Sequence, residues 1–467
     1  MILFFVALVI AVLAAFSLGL VSLATLEHKT VIHKGYSAQL VQIVHSGIDA
    51  AAQAIDDSDH LNLTNNPVRF CNIEVIPEVW SSPDFGVGRF TVFSPRIEQD
   101  QMRGVRFGLT RESTKLSLES ILAWEIESAG QGVRALQKLP GMTSEISDSI
   151  LDWLDADDDA RPLGGESAYY KQQQKSYRPR NAVPVPLEEL LLVRGVEHSL
   201  IFGEDHQLTF GTKQSTLRTS PTSPFVSDAF TALASVDSEA QGLGIPLVWQ
   251  FLLTPYSVEK MVNPQGAVKI FLNEHDLDFL ESQLREHLDE ETVRFILAWR
   301  NGKGNIADPI DLLDAEITTE EKTIQSPFSC SDSAKYERFL KLLDETTVVS
   351  TIIIRNRINV NEAPRLVLEA IPELTPELVS VILDRRKPGA ESQRHTVWLL
   401  SEQIVDKETM KTLSNRLTTG GDVYRFQVAG FFEKKPMFYR AEAVLDATVK
   451  PPKMVLYKDL TPLGFPE

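Results

Sequence analysis

Residues Ile2 to Leu26, ILFFVALVIAVLAAFSLGLVSLATL, run for 25 residues without a charge, and about 20 apolar residues suffice to cross a bilayer as a helix. A cleaved signal peptide would show a basic stretch followed by a shorter apolar core of roughly 7–15 residues, and nothing basic precedes Ile2. The run therefore reads as a membrane segment, residues 1–26. Beyond it the pattern turns amphipathic: Val31, Ile32, Leu40, Val41, Ile43, Val44, Ile48 and Ile55 stand among polar residues, and no proline occurs before Pro67. One long helix, apolar first and amphipathic over 27–66, is the expectation.

From Pro67 the character changes. Arg69–Ile76 and Gly88–Phe93 read as strands, with turn clusters such as Ser81–Asp84 between them, giving a small β-module over 67–109. Strand character returns over 421–467, where VYRFQVA (Val423–Ala429) and MFYRAEAVL (Met437–Leu445) flank a hairpin loop at Glu433-Lys-Lys-Pro. Between them, 110–420 reads as helices and loops. The fold class is α+β: a transmembrane helix, a small antiparallel β-module split in sequence, and a large helical insert.

The insert repeats itself. KLSLE (Lys115–Glu119), KIFLN (Lys269–Asn273) and RINVN (Arg357–Asn361) each place a basic residue, then apolar, any, apolar and polar. Helical segments follow each copy. LPGMTSE (Leu139–Glu145) leads to Ile150-Leu151-Asp152, and IPELTPE (Ile371–Glu377) leads to Ile382-Leu383-Asp384 in the same register. The middle copy keeps Glu291, Val293 and Ile296-Leu297 at matching offsets, so three copies are counted, the second the weakest. The paired helices look like helix-hairpin-helix units of the SAM-like kind.

Such units grip a nucleic-acid backbone in many proteins, through glycine N–H groups and basic flanks. Here the first hairpin offers only Gly141, the third has Glu373 in its place, and 64 acidic against 46 basic residues leave a net charge of −18. That balance repels phosphate, so a membrane-anchored DNA-binding protein is the alternative rather than the expectation. Neither G-x-S-x-G nor H-E-x-x-H occurs, and Gly302-Lys-Gly304 lacks phosphate-loop spacing. The chain does not read as an enzyme. Cys71 and Cys330 have no metal-type spacing; they are free thiols or one long-range disulfide.

ILDWLDADDDARPLGGESAYY (Ile150–Tyr170) packs five aspartates into the residues Asp152 to Asp159. Counting Asp155 as first, carboxylates fall at positions one, three and five (Asp155, Asp157, Asp159) and Glu166 falls at twelve, the spacing by which a calcium loop converges oxygens on one hard cation. The sixth position holds Ala160 where an EF-hand has glycine, and Gly164-Gly165 follow later. A calcium loop of related geometry, a bare solvated acidic turn and a catalytic cluster all fit the composition; like charges this close need an ion or Arg161 to offset them, and calcium is the favoured reading.

Taken together, ILDWLDADDDARPLGGESAYY, FGLTRESTKLSLE (Phe107–Glu119), RINVNEAPRLVLEAIPEL (Arg357–Leu374) and the N-terminal helix resemble the K-type minor pseudopilin of type II secretion systems. The resemblance implies a pilin-like helix and β-module, calcium in the inserted helical domain, and a place at the tip of a periplasmic pseudopilus, where the subunit joins other minor pseudopilins and the major pseudopilin to start assembly. The fifth residue is Phe5 where ordinary pilins carry Glu, and lack of that Glu fits the K type, which usually lacks it. No basic leader ending in Gly precedes the apolar run; either translation starts upstream of Met1 or the segment stays as an uncut anchor. The stretch from about 200 to 349 looks like an expansion of the family pattern. Lys29 and Lys34 alone would put the body in the cytoplasm by the positive-inside rule, but a long folded body is exported with little regard to so small a bias. The expected placement is a single pass of the inner membrane, N-terminus cytoplasmic and body periplasmic.

Overall fold

The computed structural model describes residues 2–57, 63–75, 86–203, 245–318 and 323–463. The turn cluster Ser81–Asp84 and the C-terminal end of the Arg69–Ile76 stretch lie outside them.

Helix α1 runs unbroken over Ile2–Asp56, and it alone among the described helices is long and apolar enough to cross a membrane. Its membrane half stands free of the body. Leu40, Ile43, Val44, Gly47, Ile48, Ala51, Ala54 and Ile55 are buried, a stripe at steps of three and four that lies along one helix face. Val31 and Ile32, assigned above to the amphipathic part, are exposed, so the covered stripe begins at Leu40, more than two turns later than their hydrophobicity suggests.

That stripe lies on an antiparallel sheet. In chain order its long strands are β1 (Gly88–Glu98), β2 (Gln101–Arg106), β3 (Val423–Phe432), β4 (Lys435–Asp446) and β5 (Lys453–Asp459), arranged β5-β4-β3-β1-β2 with Ile245–Pro246 outside β2. The central pairing joins the two ends of the sequence, Val428 opposite Val92. The hairpin from β3 to β4 turns over Glu433-Lys434. Thr110–Arg111 also pairs with β3, so the chain leaves the sheet at Arg111 and re-enters it at Val423. Between helix and sheet the fit is close: a Cβ on Gly47 would come within 2.5 Å of Val428 Cγ1, and one on Gly430 within 3.0 Å of both Ile43 and Val44.

Part of the first β segment is a correction. Pro67–Phe70 is a short helix, with Asn66 as N-cap accepting from the Arg69 N–H and Pro67 at the first helical position. Among the described residues of that stretch only Ile73–Glu74 is a strand, paired with β1.

The three repeat copies occupy one register in three dimensions. Leu116–Ser117, Ile270–Phe271 and Ile358–Asn359, the second and third residues of each copy, are two-residue strands, and each pairs in parallel with a strand far downstream: Leu253–Thr254, Thr346–Thr347 and Leu417–Thr418. The fourth residue, Leu118, Leu272 or Val360, is fully buried in every copy. Each closing strand ends in a threonine whose Oγ1 accepts the N–H two residues on: Tyr256 to Thr254 at 2.9 Å, Val349 to Thr347 at 3.1 Å, Gly420 to Thr418 at 3.1 Å. Helices α2 (Leu118–Glu127), α3 (Gln131–Leu136) and α4 (Ser144–Leu154) belong to the first unit. Glu112 fastens that unit to the sheet. Its fully buried carboxylate meets Arg425 of β3 at 2.7 Å and Lys115 at 2.9 Å, and accepts from the Thr254 hydroxyl.

Candidate metal centre

α4 starts where Thr143 caps it, accepting the Ile146 N–H at 3.2 Å, and ends at Asp155. Its buried face, Ile146, Ile150, Leu151, Trp153 and Leu154, fixes the direction in which the acidic loop departs. Trp153 packs edge-on against Tyr170 with centroids 5.3 Å apart, and its indole N–H donates to Glu189 at 3.2 Å. The Tyr170 hydroxyl in turn accepts the Arg194 N–H at 3.2 Å. Both ends of the loop are therefore anchored in packed structure.

Within it, one carboxylate oxygen each of Asp155, Asp157 and Glu166 lie within 4.8 Å of one another. Asp159 is not in that group: it is exposed and its N–H donates to Asp157 Oδ1 at 2.9 Å. Glu166 is 3% exposed, and neither of its oxygens, nor Asp155 Oδ1, receives a hydrogen bond. Burial, then repulsion from Asp152, Asp155, Asp158 and Asp157, pushes the Glu166 carboxyl up to about 8. Burial, then Asp157 and Asp152, raises Asp155 to about 6 in spite of Arg161.

Arg161 neutralises a different part of the cluster. It reaches Glu125 at 3.2 Å, Asp152 at 3.4 Å and only the far oxygen of Asp155 at 3.7 Å. Glu125 also accepts the N–H groups of Gly130 and Gly132 at the start of α3, and Asp152, fully buried, accepts the Arg161 N–H at 3.2 Å. The closest contacts of the arginine are to these two. What remains is a convergence of carboxylate oxygens from three residues, of which Asp155 Oδ1 and both oxygens of Glu166 are buried without a donor; they are hard donors of the kind calcium takes, and buried carboxylates without donors are costly unless a cation meets them. The residues fit a divalent cation.

The departure at Ala160 has a simple resolution. No residue from Asp155 to Glu166 has a positive φ, so this loop does not make the left-handed turn for which an EF-hand keeps glycine. The glycine requirement sits at Gly164 instead, where a Cβ would fall 2.0 Å from Asp152 Oδ2.

Supports that the sequence reading did not single out are Glu125, Asp152 and Arg194, which donates to the Gly164 carbonyl at 2.9 Å, pairs with Glu145 at 2.6 Å and lies over the Tyr169 ring at 4.7 Å. For Asp152 a signal existed: it is the lone carboxylate in the apolar run Ile150–Leu154. Cys71 and Cys330 are free thiols, both with burial pushing the thiol up to about 11. His395, in the third unit, meets Asp344 at 2.6 Å.

Residues 125–202, the segment that contains every group of this cluster, match the family described as type II secretion system (T2SS), protein K. The curated proteins give no match. Among solved structures, a chain of the GspK-GspI-GspJ complex from the enterotoxigenic Escherichia coli type 2 secretion system is similar over 92% of this chain and 99% of that one, at 10% identity and a TM-score of 0.44.

Proposed function

From the match of residues 125–202 to the type II secretion system protein K family, we propose that the whole chain is a minor pseudopilin, anchored in the inner membrane by the apolar half of α1 and carrying its body in the periplasm. The observation that carries this is the coincidence of the family segment with the converging carboxylates of Asp155, Asp157 and Glu166, those of Asp155 and Glu166 holding buried oxygens without a donor. In this reading the chain works by assembly rather than by chemistry. The exposed half of α1 is the part that other pseudopilin helices, minor and major, would meet, and the GspK-GspI-GspJ complex gives the kind of partners expected. The tip position and the starting of assembly belong to the same proposal.

Calcium is the ion proposed for the loop, held by Asp155, Asp157 and Glu166, with Asp159 and Asp158 close enough in sequence to serve through water. Bound there, it would offset the charge that Arg161 leaves uncovered. The paired helices of the repeats are read as helix-hairpin-helix units used for packing; their acidic surroundings suit that better than a phosphate backbone.

The test is complementation. In a bacterium whose own protein K gene is deleted, the full chain should restore secretion of the type II cargo and co-purify from solubilised membranes with pilin-like subunits. Membranes that yield no such partner, together with unaltered secretion on deletion, would sink the proposal.

A further inference from the structure

A cleft of about 1330 Å³ opens between the sheet and the second and third helical units. Its lining is unlike the rest of this acidic chain. Most of its acids already have partners: Glu362 with Arg111 at 2.8 Å, Glu259 with Arg357 at 3.0 Å, Asp344 with Arg394 at 3.1 Å, Glu391 with Arg394 at 3.1 Å and Asp56 with Lys450 at 3.4 Å. Among the described residues that leaves Arg106, Lys260, Lys269, Arg355 and Arg386 lining the cleft without a carboxylate in ion-pair reach, against only Asp308 and Asp422 on the acidic side. Burial lowers Arg106, Lys269 and Arg386, the mark of cations held partly dehydrated without enough counter-charge. A cleft with surplus cations focuses anions.

One wall supplies a second feature. The strand Ile353–Arg355 pairs with Val258–Lys260 along one edge only, and no described backbone group pairs with its other edge. Ile352 is 48% and Ile353 40% exposed beside it. An unpaired strand edge with exposed apolar side chains is a template for another strand, and strand addition combines main-chain hydrogen bonds with side-chain selection. The volume is far larger than a small anion needs, and the acid–base balance of the wall selects negative charge. The chain's own −18 net charge gives a second copy no general attraction to this one.

We propose that the cleft binds an extended acidic segment of a partner protein, which adds as a strand to the open edge of Ile353–Arg355 while its carboxylates meet Arg355 and Arg386. The proposal stands on the cleft alone, so its failure would leave the family reading untouched.

The test uses the full chain in detergent micelles and a fluorescein-labelled decapeptide of alternating Val and Glu, with alternating Val and Lys as control, read by fluorescence anisotropy at physiological salt. The acidic peptide should bind saturably and the basic one should not. Arg386→Glu and Arg355→Glu should each weaken binding by at least about tenfold, or about 1.4 kcal/mol, with an unchanged circular dichroism spectrum. Amides of Ile353–Arg355 should exchange more slowly in the complex, and N-methylation of alternate peptide residues should abolish binding. Absence of binding, binding by both arginine variants as tight as that of the unaltered chain, binding of the N-methylated peptide as tight as that of the unmethylated one, or unchanged exchange at Ile353–Arg355 would each overturn the proposal. So would a chain that dimerises through this edge and loses the peptide as it does so.

Discussion

Glu166 sits where burial and four neighbouring carboxylates work against its charge. A carboxyl whose folded value is raised binds its proton more tightly in the folded state, so the contribution of Glu166 to ion-free stability is fully present below about pH 4.5 and is lost as pH climbs through about 8. Glu166→Gln should flatten that loss in ion-free thermal melts. The same proton competes with a metal, so calcium affinity should fall by up to about tenfold per unit as pH drops below 8, measurable by titration calorimetry; an affinity independent of pH between 8 and 6 would count against Glu166 as a ligand. Gly164→Ala should weaken calcium binding without removing any carboxylate, because its Cβ must displace the Asp152 carboxylate that packs beside the loop. At this scale the sequence was readable where ligands are close along the chain: Asp155, Asp157 and Glu166 share one loop, and spacing alone brings them together. Glu125 and Arg194 lie some thirty residues to either side and no spacing rule reaches them. Asp159, placed by the same rule, spends its N–H on Asp157 and stays out of the group, because the loop does not take the turn that the rule assumes.

Between elements, two contacts decide how the body is held. Gly47 lets α1 approach β3 so closely that Gly47→Val should destabilise the body by about 1–3 kcal/mol through overpacking, seen as a lower urea midpoint. Glu112 joins β3, the start of the first unit and its closing strand. Burial alone would raise its carboxyl, but Arg425 and Lys115 outweigh that and hold it at about 2. A depressed acid stabilises above its unfolded value, so this contribution, roughly 3 kcal/mol by linkage, should vanish as pH falls from about 4.5 toward 2. Glu112→Gln leaves Arg425 and Lys115 buried beside a neutral group and should cost about 3–5 kcal/mol at neutral pH. α1, the hairpin from β3 to β4 and the repeat openings were legible because each obeys a local period. The Pro67–Phe70 helix was not, although Asn66-Pro67 is a helix-start signal; the β-branched neighbours outweighed it.

For the molecule as a whole, saturating calcium should raise the melting temperature by several degrees, since an ion at a hundred times its dissociation constant adds about 2.7 kcal/mol; Asp155→Asn with Asp157→Asn should remove the rise. The architecture was only half visible in the sequence. Opening strands of the three units could be aligned by pattern, but their closing strands, Leu253–Thr254, Thr346–Thr347 and Leu417–Thr418, carry too short a signature to be found without the fold. The threonine common to all three is that signature, meaningful only once its Oγ1 is seen taking the N–H two residues on. The pairing of Val92 with Val428 sets a timetable as well as a shape. A chain delivered from its N-terminus can close each helical unit as soon as that unit's last strand emerges, the third after the shortest wait. The sheet must wait for nearly the whole chain, because its centre pairs β1 from near the start with β3 from near the end. Until then the stripe from Leu40 to Ile55 stays uncovered on α1, and it is during this interval that the protein is open to a helper, or to aggregation.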